Sequence, residues 1–383
     1  MAVGTSGGLL VTQKATSVFK HEILRQYNSA FLAKVASKSD GHRVMVVDGF
    51  AGRGRFEDGS PGSAELFMRA AAGLSGVNTS IRLFEKSKGD ASHLATIAAE
   101  YRANGLDVTS ECADVASRLE ATVSEAKAIP LFLFLDPCGQ NLPFDLLVKV
   151  LAEMRGAKWP PTEALLNLSA DFTRRIGGTV GKGIDTAGVE TMDRMVGGDW
   201  WRQVALDAHA KTPGGTWGEA ADAVATGYME RLAKAAGMGG VLVPVRRKPE
   251  NQPTYHLAYL TRSNHGHWVM ADALARARQK WLREVGPQED DDQGALFDAD
   301  PVGDLIDGEQ TRAKSSARSR VLDVAGRERK FNLIDNVLDV YGTDYGVLTE
   351  SNLGKAAAEL VKDGLLAREP GKKLGQATFT YKG

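Results

Sequence analysis

An apolar run that ends on an acid and then spends five glycines before helical residues resume, "VVDGFAGRGRFEDGSPGS" (Val46–Ser63), restricts this chain more than any other stretch. A strand stopping at Asp48, a turn whose glycines let backbone amides approach a ligand, and a helix start together make a nucleotide-sized pocket at the carboxyl edge of a sheet. The spacing of Gly49, Gly52 and Gly54 does not fit G-x-G-x-x-G, and no G-K-[ST] follows. A dinucleotide or ATP phosphate cradle is therefore disfavoured.

Short runs rich in β-branched and aromatic residues recur at Val44–Val47, Ser80–Phe84, Val108–Ser110, Leu131–Leu135 and Ala164–Leu168, separated by helix-like stretches. This alternation predicts an α/β fold, a doubly wound Rossmann-like sheet with crossover helices on both faces. Ahead of it, Thr16–Val35 carries Phe19, Ile23, Leu24, Tyr27, Phe31 and Leu32 at helical spacing. From about 171 to 238 the rhythm turns helical, with Trp200, Trp201, Trp217 and Tyr228 read as structural aromatics of an insertion ahead of a base-stacking surface. Strands at Val241–Val245 and Tyr255–Thr261 and a helix from Trp268 to Glu284 complete a first domain over 1–285.

Gly286–Gly308 holds eight acidic residues and no basic one, and Arg312–Lys330 then turns basic. The stretch 286–326 is expected as a flexible linker. The order of elements over 327–383 suits a winged-helix domain, which binds DNA or packs against the rest of the protein, two outcomes left level.

A formal net charge of −1 gives no global attraction to nucleic acid or acidic membranes, so any such contact must come from local patches. Cys112 and Cys138 are the two cysteines, neither at metal-ligand spacing, which argues against structural zinc and for a reducing cytoplasm. The start shows no signal-peptide pattern and no run of about 18 apolar residues occurs, so no membrane span is expected.

The stretch "DGFAGRG" resembles motif I of class I S-adenosylmethionine-dependent methyltransferases. The resemblance implies S-adenosylmethionine as cofactor, with Asp48 facing its amino group and Gly49, Phe50, Gly52 and Gly54 lining its pocket. Glu85 in "IRLFEKS" then fits the acid that takes both ribose hydroxyls, and Asp114 in "SECADV" fits the position holding the adenine edge. The fourth strand leads into Asp136-Pro137, where methyltransferases acting on amino groups carry Asp/Asn-Pro-Pro-aromatic. There an acceptor amine donates to the Asp136 side chain and to the Pro137 carbonyl, which turns its lone pair toward the methyl group. Cys138 and Gly139 replace the second proline and the aromatic, a departure that counts against base chemistry unless Phe144 or Phe172 supplies a stacking face. Pro137-Cys138 is also similar to the nucleophile motif of cytosine-C5 enzymes, but no basic neighbour is visible to activate the thiol, and an inert cysteine is favoured.

Together, "YNSAFLAKV", "VDGFAGRGRFEDGSPGSAELF", "LFEKS", "FLFLDPCGQNLPFDLL", "ALLNLSADFTRR" and "YHLAYLTRSNHGHWVM" resemble the TcmP (three-Cys-motif partner) family over roughly Lys20 to Trp281. The resemblance implies a methyltransferase-like protein working with a radical-SAM-like three-Cys-motif partner, its substrate being nucleic acid or a modified nucleobase. The alternative is a non-catalytic accessory protein that recruits that partner to DNA. A nuclease or phosphotransferase finds little support, because the carboxylates are dispersed over separate strand ends. Finally, "QGALF" (Gln293–Phe297) matches the loose pattern by which peptides insert into a sliding clamp, although docking on its own domain is favoured.

Overall fold

The computed structural model describes residues 15–137, 142–212, 214–285 and 300–383. The chain divides into two compact units, Met1–Arg262 and Ser263–Gly383.

In the first unit the helices are α1 (Ala15–Ala36), α2 (Ser63–Ala72), α3 (Lys88–Ala103), α4 (Leu119–Glu125), α5 (Phe144–Val148), α6 (Ala170–Val180), α7 (Ala187–Val196), α8 (Trp200–Lys211) and α9 (Gly218–Ala236). The strands are β1 (Arg43–Asp48), β2 (Asn78–Glu85), β3 (Asp107–Cys112), β4 (Leu131–Leu135), β5 (Thr162–Ser169), β6 (Gly239–Val245) and β7 (Tyr255–Thr261). Among the described residues these strands form one sheet in the order β3-β2-β1-β4-β5-β7-β6. The first five run parallel, and β7 runs antiparallel to both β5 and β6. Such a sheet needs strands apolar on both faces at its centre, and every residue of "LFLFL" in β4 is buried. The winding reverses between β1 and β4, which opens a crevice beyond their carboxyl ends.

The helices between β5 and β6 carry the tryptophans inward. Trp201 is fully buried and donates its indole N–H to Asp193 at 2.8 Å. Trp200 donates to the Val196 carbonyl and lies under the Arg231 guanidinium, 4.3 Å from the ring centre. Trp217 stacks on His209 at 3.9 Å and fills the space beside Gly177 and Gly181. These aromatics pack the insertion.

The second unit contains α10 (Asn264–Val285), α11 (Pro301–Glu328), α12 (Val337–Tyr341) and α13 (Glu350–Lys362), with β8 (Lys330–Asn332), β9 (Leu366–Arg368) and β10 (Thr378–Tyr381). The strands make an antiparallel sheet in the order β8-β10-β9. Two expectations are corrected here. The flexible linker expected over 286–326 is a regular helix from Pro301 onward, capped by Asp300, whose carboxylate accepts the Gly303 amide at 2.7 Å. Its buried stripe is Val302, Ile306, Gln310, Ala313, Ala317, Val321 and Val324, and Gln310 is held by Val347, Thr349 and Asn352. Secondly, α10 belongs to this unit instead of completing the first. Its Trp268 meets Tyr341 edge-on at 5.8 Å and joins a core with Val321, Leu353 and Phe379. No described helix is long and apolar enough to cross a membrane.

Candidate functional site

The turn after β1 is organised from below by Asp48. This side chain is fully buried; one oxygen accepts the Phe50 amide at 3.1 Å and the other the Ser63 hydroxyl at 2.7 Å. It thereby ties the first residues of the turn to the first residue of α2. Burial pushes its carboxyl up from 3.8 to about 7, against the hydrogen bonds from Ser63 and Phe50. Gly49 is required by close packing, since a Cβ there would meet the Leu135 side chain at 2.6 Å. Gly54 takes a left-handed φ of +82° and lies buried against Leu94 and Ile97 of α3.

Beyond Gly54 the chain makes a small excursion. Arg55 bridges Pro61, the Phe56 amide bonds the Ser60 carbonyl, and the Gly62 amide returns to the Gly54 carbonyl at 2.8 Å. The arginines hold this excursion: Arg53 pairs with Glu57 at 2.7 Å, and Arg55 forks onto buried Glu65 at 2.8 and 2.7 Å.

Glu85 ends β2 and stands across from the turn. Its Oε2 accepts the Gly52 amide at 3.0 Å and its Oε1 the Ser87 amide at 2.7 Å, leaving each oxygen a second lone pair. Asp114, after β3, accepts the Ala116 amide at 3.1 Å and the Lys86 ammonium at 2.9 Å, and the Lys86 contact holds its carboxyl below the usual range. Gly49, Phe50, Glu85 and Asp114 converge on one cleft of about 470 Å³, which Pro143 and, from α7, Arg194 and Met195 also line. That volume lies within the span of small-molecule sites.

Asp48, Gly52, Gly54, Asp136 and Pro137 do not line this cleft. The acid expected to face a ligand amine, Asp48, instead bonds backbone and Ser63, because the chain turns over it. Gly52 acts through its amide, and Gly54 packs against α3. Asp136 and Pro137 are buried at the end of β4. Lys20 of α1 bonds Asp136 Oδ2, and the Asn167 amide of β5 donates to Oδ1 at 2.6 Å, so both carboxylate oxygens are engaged. Sequence reasoning missed Lys20 and Asn167; Asn167 lay in a quoted apolar strand, "ALLNLS", whose lone amide was the signal. Cys138 and Gly139 lie outside the described residues. Phe144 packs edge-on to Tyr228 at 6.0 Å and beside Gly197, and Phe172 is buried with Arg175 over its ring, so both rings are used internally.

The strand order and the reversed β7, with the carboxylates of Glu85 and Asp114 lining a cleft beyond β2 and β3, match a Rossmann-like methyltransferase fold. Solved structures similar to this chain include the small RNA methyltransferase HEN1, at 10% identity and TM-score 0.33 over 62% of this chain and 25% of that one. A Legionella pneumophila protein matches at 10% identity and TM-score 0.35, over 66% and 86% of the two chains. M. jannaschii TYW2, solved in complex with AdoMet, matches at 11% identity and TM-score 0.28, over 62% and 75%. The chain thus spans a quarter of the HEN1 chain. No family model matches the chain, and the comparison with curated proteins returned no match.

Proposed function

We propose that the first unit binds S-adenosylmethionine in the cleft beyond β1, β2 and β3 and acts as a methyltransferase on nucleic acid or a modified nucleobase. The observation that carries this reading is the convergence of Gly49, Phe50, Glu85 and Asp114 on one cleft. Glu85 has an acceptor lone pair on each oxygen for a ribose diol, Asp114 on the same cleft suits an adenine edge, and Phe50 offers an apolar wall. When bound, the cofactor supplies an electrophilic methyl group. Asp48 acts indirectly, by holding the turn. Asp136 and the Pro137 carbonyl orient an acceptor amine once Lys20 releases the carboxylate.

Calorimetry of the full chain with S-adenosylmethionine tests this directly: binding that is lost in Glu85→Ala supports it, and no binding by the unaltered protein rejects it. The acceptor is tested by incubation with labelled cofactor and DNA, RNA or nucleosides.

A second reading, a non-catalytic accessory protein, is favoured by one observation: both oxygens of Asp136 are already engaged by Lys20 and Asn167. Cofactor binding without turnover on any of those acceptors puts it ahead. Full methyl transfer by Asp136→Ala removes Asp136 from the mechanism.

The second unit is assigned as a winged helix, on the order α11, β8, α12, α13, β9, β10. The outward face of α13 carries Ser351, Lys355, Ala358 and Lys362, and Lys372 and Lys373 are exposed between β9 and β10. This face suits a phosphate backbone, and losing Lys355 and Lys362 would lower the salt dependence of DNA binding by about one unit of slope per cation. The likeness to the TcmP family supports a radical-SAM-like three-Cys-motif protein as partner in the cytoplasm, tested by co-purification. Gln293–Phe297, the stretch similar to a sliding-clamp peptide, lies outside the described residues.

A further inference from the structure

Beside the cleft, sharing Met195 with it, lies a second and much smaller pocket of about 20 Å³, room for roughly one water molecule. It is bounded by Leu168 at the end of β5, Met192 and Met195 of α7, Val224 and Tyr228 of α9, and His256 of β7. Met195 also lines the cleft, so a single side chain belongs to the walls of both spaces.

Two residues that line this small chamber each carry a buried polar atom that makes no hydrogen bond among the described residues, the Tyr228 hydroxyl and Nδ1 of His256. Tyr228 is 1% exposed and His256 2%. His256 stands with Nε2 2.9 Å from Asp222 Oδ1, which leaves Nδ1 as the ring edge without a partner. Burying a hydroxyl without a partner is costly, and phenylalanine would fill the same space without that cost. Both atoms are therefore available to pair with a group that enters.

The walls indicate what that is. Among the described lining residues there is no lysine, arginine, aspartate or glutamate. A phosphate, carboxylate or ammonium group would be stripped of water and meet no counter-charge. A neutral ring with donor and acceptor atoms on its edge would instead meet a hydroxyl able to donate or accept and, with Nε2 turned to Asp222, an imidazole Nδ1 able to accept. The thioether side chains of Met192 and Met195, unbranched and flexible, yield space without backbone movement. We propose that this chamber is the contracted form of a subsite for a neutral heteroaromatic ring, the methyl acceptor, which enters from the cleft past Met195 and widens it. The proposal rests on reading the cleft as the cofactor site.

The test uses the full chain saturated with S-adenosylhomocysteine and titrated with adenine and with cytosine as neutral probes, followed by calorimetry. At least one probe is expected to bind in the presence of S-adenosylhomocysteine and to weaken at least tenfold in Tyr228→Phe. Ala225→Leu, which fills the chamber without removing a polar atom, should weaken the probe equally. Both variants should keep their S-adenosylhomocysteine affinity within about twofold, and Tyr228→Phe should melt no lower than the unaltered protein. Three results overturn the proposal: neither probe binds, a probe binds only when S-adenosylhomocysteine is absent, or binding is indifferent to both substitutions. Failure of S-adenosylhomocysteine itself to bind overturns the cofactor reading instead. In that case probe binding that remains sensitive to Tyr228→Phe leaves the chamber assignment standing.

Discussion

The Gly52 amide donates to Glu85 Oε2 across 3.0 Å, so the residue that ends β2 fixes the turn that follows β1. Glu85 therefore has two duties, shaping the cleft and presenting acceptors within it. Glu85→Gln keeps the size of the side chain but turns one acceptor into a donor that faces backbone amides. A loss of at least tenfold in S-adenosylmethionine affinity is expected, about 1.4 kcal/mol or more, measured by calorimetry at fixed salt. Affinity equal to that of the unaltered chain would remove Glu85 from the cofactor site.

Asp48 makes the protein's stability depend on pH in a defined direction. Burial raises its folded-state value from 3.8 to about 7, so the folded chain keeps a proton that the unfolded chain releases above about pH 4. Between those limits the folded state binds more protons, and stability falls as pH rises. Glu163, fully enclosed beside Tyr27 and Tyr259, is raised by burial from 4.5 to about 8 and acts in the same direction up to a higher pH. Each group contributes a slope of about 1.4 kcal/mol per pH unit within its window. Buried His21, held well below its usual value by burial, acts in the opposite direction at the acid end, so the two carboxyls are read by difference. In denaturant titrations from pH 5 to 8, Asp48→Asn should remove a declining contribution below about 7 and Glu163→Gln one that extends to about 8; a pH profile unchanged by either substitution contradicts that assignment.

The ion pair between Lys20 and Asp136 joins α1 to the end of β4. Asp136 is 8% exposed, so Lys20→Met leaves a nearly buried carboxylate without its cation and should cost about 3 kcal/mol. Adding Asp136→Asn removes the stranded charge and should recover part of that loss. A coupling of about 1–3 kcal/mol is expected from the double-mutant cycle, read by chemical denaturation, and strict additivity would show that the pair does not contribute.

Glu65 has a comparable position on α2. Its buried carboxylate accepts both arms of Arg55, with Arg69 at 3.0 Å and the Tyr101 hydroxyl at 3.2 Å. Glu65→Ala should destabilise the protein by about 2–3 kcal/mol. The amides of Phe56 and Gly59, which bond within the excursion, should exchange faster in the same variant, as hydrogen exchange would reveal.

Much of the first unit was legible because its strands are apolar runs with unambiguous boundaries. The expected Leu131–Leu135 is β4 itself, and the other predicted strands fall inside the observed ones. Glu85 and Asp114 could be located because strand ends of a parallel sheet converge on one edge, whatever lies between them in sequence. What could not be read were contacts between distant elements: Lys20 and Asp136 are 116 residues apart, and no periodicity links them. The helix Pro301–Glu328 was missed for another reason. Its buried stripe uses Ala313, Ala317 and Gln310, residues that an apolar count scores weakly, while the charged residues between them imitate a solvated tether. The allegiance of α10 was equally hidden, since an amphipathic helix declares that it packs but not against what.

The excursion between Gly54 and Gly62 leaves the fold and rejoins it at almost one point, closed by the 2.8 Å bond between those two residues. Its outermost residues, Glu57, Asp58 and Gly59, are exposed, and none of them borders the cleft. Mechanically it is an appendix on a stalk, its two ends fixed while its tip bears no load from the sheet. Natural variation or an engineered reporter could be accommodated at that tip with the carboxylates beyond β2 and β3 undisturbed.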